Sequence, residues 1–124
     1  MDEEAYRRGC ETLTKLNPAG LEVLTATLGE IAPELVRIII ETYGNIYARP
    51  QLDLRSRELA TVAALTAMGN AAPQLRTHIE YALNAGCTEQ ELVEVMMQMG
   101  YYGGFPCAMN ALVLAREVFA ERAA

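Results

Sequence analysis

Glu58 and His78 are the residues whose types and placement suit proton chemistry. His78, the only histidine of the chain, stands at the i+3 position of an apolar stripe beginning at Leu75. Glu58 lies on a line with Val62 and Leu65, at the edge of the apolar stripe of another segment. A carboxylate on an apolar face is costly unless paired, and histidine is a partner that exchanges a proton near neutral pH. A Glu–His pair facing an apolar pocket is a proton-transfer device. The bland alternative is a satisfied core histidine beside a carboxylate that reaches solvent. A second candidate is Tyr101-Tyr102-Gly103-Gly104-Phe105-Pro106, where Tyr102 and Gly104 would border a ligand. Its glycines let backbone approach a ligand closely, and the N–H groups opening the helix that follows favour an anion or a developing oxyanion. The alternative there is a tight helix–helix turn with aromatic packing.

Other chemistries lack their parts. Cys10, Cys87 and Cys107 are scattered, with no CxxC, and with a single histidine they predict no metal site. A Ser/His/Asp triad has only Ser56 to draw on, with Asp2 and Asp53 as the only aspartates. Sixteen acids against ten bases give a net charge of −6, which offers a nucleic-acid backbone no electrostatic footprint. Charged residues break every apolar run before the length of a membrane span, and the acidic start Met1-Asp2-Glu3-Glu4 does not read as a targeting segment. The expected setting is cytoplasmic, with no membrane and no nucleic-acid partner.

The elements that must carry these residues read as helices throughout. With 124 residues, 52% of them apolar, the chain is expected to form a single domain, 1–124, with a real core. Asn17-Pro18 reads as a cap and first-turn proline, opening a helix with Leu21, Leu24 and Leu28 on one face. Pro33 opens the next, with Leu35, Ile38, Ile39, Thr42, Tyr43 and Ile46 at helical spacing, Arg37 and Glu41 as an exposed i,i+4 pair, and Pro50 as its stop. Asp53 caps a helix carrying Leu59, Val62, Ala63 and Thr66 and ending near Gly69. Pro73 starts a helix with Leu75, His78, Ile79 and Ala82 in register, closed by Gly86. Thr88 with Glu91 forms a capping box ahead of Leu92, Val95, Met96 and Met99; Gly100, Gly103 and Gly104 break that helix, and Pro106 opens the last. No segment alternates with a period of two, so the fold class is all-α with about six helices. The apolar stripes on helices 88–100 and 106–121 are wider than one side of a small bundle needs, which predicts a homo-oligomer.

These residues together carry a resemblance. Leu52-Asp53 with Arg57, Glu58 and Leu59, Ala64-Leu65-Thr66-Ala67, His78 with Ala82-Leu83-Asn84-Ala85-Gly86, and Thr88-Glu89-Gln90-Glu91-Leu92 resemble the carboxymuconolactone decarboxylase family. So does Gln98 followed by Tyr102, Gly104 and Pro106, and the match runs from about Leu35 to Phe119, with Arg49-Pro50 fitting the decarboxylase branch. The resemblance implies an alkylhydroperoxidase D-like helical fold assembled as trimers or hexamers, with sites near subunit contacts. It also implies cofactor-free loss of carbon dioxide from 4-carboxymuconolactone or a related small lactone or acid in aromatic-compound breakdown. On that reading His78 is the acid that protonates the dienolate carbon, Glu58 its orienter or proton store, and Arg49 or Arg57 the fork of donors for substrate carboxylates.

The sequence departs from two branches of that superfamily. Alkylhydroperoxidase-type proteins run Glu, CxxC, His; here Asn70-Ala71-Ala72-Pro73 stands between Glu58 and His78, so a thiol peroxidase lacks its reactive pair. The decarboxylase pattern has serine where Glu58 stands, arginine where Glu80 stands and alanine where Cys107 stands. A carboxylate replacing a cation at 80 changes what charge a substrate can carry. The residues and the resemblance together leave three readings: a decarboxylase or related proton-transfer enzyme, a peroxidase relative, and a non-catalytic oligomeric binding or scaffold protein.

Overall fold

The computed structural model describes Asp2–Ala124, and among these residues there are helices and no strands. Seven α-helices run in order: α1 (Glu3–Leu16), α2 (Gly20–Leu28), α3 (Pro33–Thr42), α4 (Leu54–Met68), α5 (Ala72–Asn84), α6 (Glu89–Gly103) and α7 (Phe105–Ala123), with a π-helical turn at Tyr43–Tyr47 continuing α3. The chain divides into two compact units, one up to Leu54 and one from Arg55 to Ala124.

The first unit is organised by α1, the helix that the apolar spacing does not announce. Asp2 caps it, its side chain accepting from the Ala5 N–H at 3.0 Å. Its buried line is Ala5, Gly9, Thr12, Leu13 and Leu16. Asn17-Pro18 does not open a helix; Asn17 ends α1, and its side chain accepts from the Ala19 N–H at 3.0 Å, the local turn that asparagine favours. Helix α2 therefore begins later, at Gly20.

Helix α3 turns a different face inward than its spacing suggests. Val36 and Ile40 are buried, followed by Gly44, whereas Leu35, Ile38 and Ile46 are exposed. The cause is close backbone approach to α1. A Cβ on Gly9 would lie 1.8 Å from the Ile40 carbonyl oxygen, and one on Gly44 would lie 1.8 Å from that of Ala5. Only glycine permits these contacts, and they select the Val36–Ile40–Gly44 line. The Ala48 N–H reaches five residues back to the Tyr43 carbonyl at 2.9 Å, which defines the π turn. The expected Arg37–Glu41 pair forms at 3.0 Å but is only partly exposed, because Arg37 also stacks over the Tyr6 ring.

The second unit positions the chemistry. Helix α4 follows Asp53 directly and buries Glu58, Val62 and Thr66, one residue per turn along a single line. Pro73 stands in the first turn of α5, and Gly86 lies just past its end with φ 103°. The Thr88–Glu91 capping box forms with both bonds present. Helix α6 does not break at Gly100, which is buried inside it; the chain turns at Gly104, φ 97°. Gly103 sits against α4, where a Cβ would meet the Ala67 backbone at 2.7 Å. Helix α7 presents Ala108, Ala111, Ala115 and Val118 to a core completed by Val62, Leu75, Ile79, Leu92 and Met96.

Candidate active site

The α4 line and the α5 stripe bring Glu58 and His78 together. Glu58 Oε1 lies 2.8 Å from His78 Nδ1, and the two side chains are 0% and 15% exposed. Glu58, expected at the edge of its stripe, is fully buried, the first residue of the buried line of α4. Its second oxygen, Oε2, is buried and has no hydrogen-bond partner in the chain. A buried carboxylate with one oxygen unsatisfied is destabilising, and such a group calls for a donor or a proton from outside the chain. With Nδ1 engaged by Glu58, the Nε2 atom of His78 is the position left to exchange a proton with a ligand.

Tyr81, three residues after His78 and so on the adjoining turn of α5, completes the cluster and was not singled out by its spacing. Its ring meets the His78 ring edge-on at a centroid distance of 5.1 Å, and the residue is buried. Burial, with the nearby Glu58 and Glu80 charges adding to it, holds the Tyr81 phenol above its ordinary range. Tyr81 is therefore a neutral wall at neutral pH that fixes the imidazole plane.

The other expected site residues are placed less centrally. Arg57 is half-buried on α4, one residue before Glu58. Arg49 is exposed and belongs to the first unit. Tyr102 is exposed on the last turn of α6, and Gly104 is the hinge into α7. The N-terminus of α7 is a poorer oxyanion site than the sequence suggests. Pro106 has no N–H, and the Cys107 and Ala108 amides already donate to the Gly104 carbonyl at 3.1 and 3.4 Å. Tyr101 packs on Phe105 with centroids 6.2 Å apart, as the tight-turn reading expects. Among the described residues no three His, Cys, Asp or Glu side chains cluster as metal ligands, the three cysteines are free, and no helix is long and apolar enough to cross a membrane.

The chain is similar to several known proteins. An uncharacterised 15.0 kDa protein of Paracoccus denitrificans is 33% identical over 96% of this chain and 90% of its own length. The 4-carboxymuconolactone decarboxylase of Acinetobacter baylyi is 30% identical over 97% of this chain and 90% of its own. A nitrosuccinic acid decarboxylase of Metarhizium robertsii is 29% identical over 60% of this chain and 52% of its own. The model of the carboxymuconolactone decarboxylase family matches residues 33–117, a span that holds Glu58, His78 and Tyr81, and the chain belongs to that family.

Proposed function

We propose that the protein is a cofactor-free decarboxylase of small carboxylic acids or lactones, with His78 as the proton donor and Glu58 as the residue that orients it. The observation that carries the reading is the buried Glu58–His78 pair at 2.8 Å, in a chain similar to two proteins named as decarboxylases. Both 4-carboxymuconolactone and nitrosuccinic acid offer a carboxyl whose departing electron pair can pass to a neighbouring acceptor, an unsaturated lactone or a nitro group. The carbon–carbon bond breaks, carbon dioxide leaves, and the pair is held as an enolate or nitronate. His78 Nε2–H then protonates carbon, and the imidazole regains its proton from water, so one proton is consumed per turnover. Glu58 accepts from Nδ1–H throughout and keeps the ring in one tautomer and one plane. Arg57 would hold a second substrate carboxylate.

Assembly and setting belong to the same proposal. We infer that the chain assembles as a trimer or hexamer in the cytoplasm; the exposed apolar run of Tyr101, Tyr102, Phe105 and Met109 at the α6–α7 turn supports only the burial against another copy. Sedimentation at micromolar protein should show no stable 13.6 kDa species. Activity is tested by carbon dioxide release from 4-carboxymuconolactone and from nitrosuccinate. His78→Gln should stay folded and oligomeric while kcat falls by about 10²–10⁴-fold. A folded variant turning over either compound at the wild-type rate would remove His78 from the mechanism, and no release from either by the wild-type protein would favour a binding or scaffold role.

A further inference from the structure

Helix α7 carries an amide on a stripe that otherwise lines an apolar cleft. Cys107, Asn110, Ala111 and Leu114 recur at helical spacing, and all four border a cleft of about 190 Å³ among α7, the end of α4 and the start of α5. Asn110 is exposed. Its neighbours one turn before and one turn after, Cys107 and Leu114, both line the cleft, so its side chain stands on the same face, at the mouth. Helix formation does not account for it. Asparagine is a poor helix former, and at the sixth position of α7 it lies too far in to cap the helix.

The walls define what would fit. Leu65, Leu75, Ala111 and Leu114 make the interior apolar, and neither Glu58 nor His78 borders it. No cation lines it, and its one acid, Glu117, is already paired with Arg76 at 3.0 Å. An anion therefore finds no counter-charge, and a cation meets a carboxylate already neutralised. An apolar cavity of roughly 150 Å³ holds a benzene ring, so this cleft has room for a six-membered ring and one small substituent. The Asn110 side chain sets an N–H donor beside a carbonyl acceptor. Its complement is an acceptor beside a donor, and a cyclic amide carries that pair on one small neutral ring.

We propose that the cleft is a second ligand site, separate from the Glu58–His78 pair, for a small uncharged cyclic amide. The hydrocarbon side of the ring fills the apolar walls, and the amide edge stays at the mouth, paired with the exposed Asn110 amide. The site differs in ligand class from the acid-binding centre proposed above and does not depend on it.

The probe is δ-valerolactam, and the thiol in the wall is the reporter. Iodoacetamide alkylation of native protein, followed peptide by peptide in the mass spectrometer, reads Cys107 against Cys10; both thiols are free and half-buried, and Cys10 belongs to the first unit. At about twice its dissociation constant, the lactam should slow Cys107 alkylation roughly threefold and leave Cys10 unchanged. Asn110→Leu alters an exposed position, so the fold should survive, and affinity for the lactam should fall about five- to tenfold. The slowing at the same concentration then drops below about 1.5-fold. Cyclohexanone, of the same ring size but without the N–H, should bind the wild-type protein more weakly than the lactam. Toluene, which lacks both polar groups, should protect Asn110→Leu at least as well as the wild type. Equal protection by lactam and cyclohexanone, lactam protection kept in Asn110→Leu, or toluene protection lost in it would each overturn the proposal. So would equal slowing at Cys10. A cleft that admits such a ring also admits the smaller iodoacetamide, so a Cys107 that stays unalkylated in native protein would show the cleft closed and end the proposal too. Activity toward carboxylic acids plays no part in any of these outcomes.

Discussion

The two units solve the problem of burying helices in different ways. In the first, backbones meet through glycine: Gly9 and Gly44 bring α1 against α3 and the π turn, and the ion pairs of Arg7 and Arg37 stay at the surface or near it. In the second, α4 carries Glu58 and Thr66 into the interior, and each leaves an oxygen without a partner. Stability alone favours an apolar residue at both positions, because a buried ion pair or orphan hydroxyl is seldom better than well-packed carbon. The first unit is thus arranged for packing, and the second retains polar atoms that packing does not explain. Function is to be sought along the buried line of α4.

The largest effects should come from unbalancing that line. His78→Leu strands a fully buried carboxylate, and breaking such a pair costs about 3–5 kcal/mol. Joining Glu58→Leu to it should restore most of that loss, so the double variant denatures at a higher urea concentration than His78→Leu alone. Both variants should be inactive. Additive destabilisation in the two single variants would mean that the residues are not coupled in the folded protein. Glu58→Gln and His78→Gln, which keep volume and hydrogen bonding, form the kinetic counterpart: their losses in kcat should be strongly non-additive.

The first unit should show the opposite signature. Gly44→Ala places a methyl where the Ala5 carbonyl oxygen already stands, so α1 must move away from the π turn. Overpacking of this kind costs about 1–3 kcal/mol, and the contact here is with backbone, which cannot rotate out of the way. Urea unfolding should move to lower concentration while kcat per folded molecule is unchanged. A kcat loss as large as that of His78→Gln would erase the distinction between a packing unit and a chemical one.

How much of this was legible in the sequence follows from which signals are local. The Thr88–Glu91 box and Gly86 act within a few residues, and the structure places them as the spacing predicts. The Glu58–His78 meeting was legible because two polar residues interrupt apolar stripes, a break in a pattern that one strand of sequence displays. The face of α3 was not legible. Its three isoleucines, with Leu35 and Val36, make a stripe too wide to choose a side, and the choice lies with Gly9 and Gly44, whose missing side chains leave no periodic mark. Thr66 reads as an ordinary stripe member. Its unpartnered Oγ1 is a torsional fact absent from composition and spacing. The α7 N-terminus misled for a related reason: Pro106 marks a helix start, but the Gly104 carbonyl that occupies the following amides depends on the turn geometry.

The smallest expected effect separates an interior carboxylate from a peripheral one. Glu91 Oε1 accepts from the Thr88 N–H at 2.9 Å, and its other oxygen pairs with Arg55. The Thr88 backbone N–H, and after it the Arg55 guanidinium, hold the Glu91 carboxyl below its ordinary value, against the opposing pull of burial. A carboxyl whose folded pKa is depressed contributes stability that is fully present above its unfolded value, near 4.5, and lost as pH falls through the folded value. Glu91→Gln keeps an oxygen for the Thr88 N–H but gives up the charge. The variant should therefore unfold at slightly lower urea than the wild type near neutral pH, with the gap closing as pH drops below the ordinary carboxylate range. Salt should narrow the same gap, since both partners are partly exposed. A gap that stays constant through that acid range would mean that the capping bond alone, and not the charge, is what Glu91 contributes to α6. Either result leaves the buried pair untouched, because no solvent ion screens a carboxylate with no exposed surface.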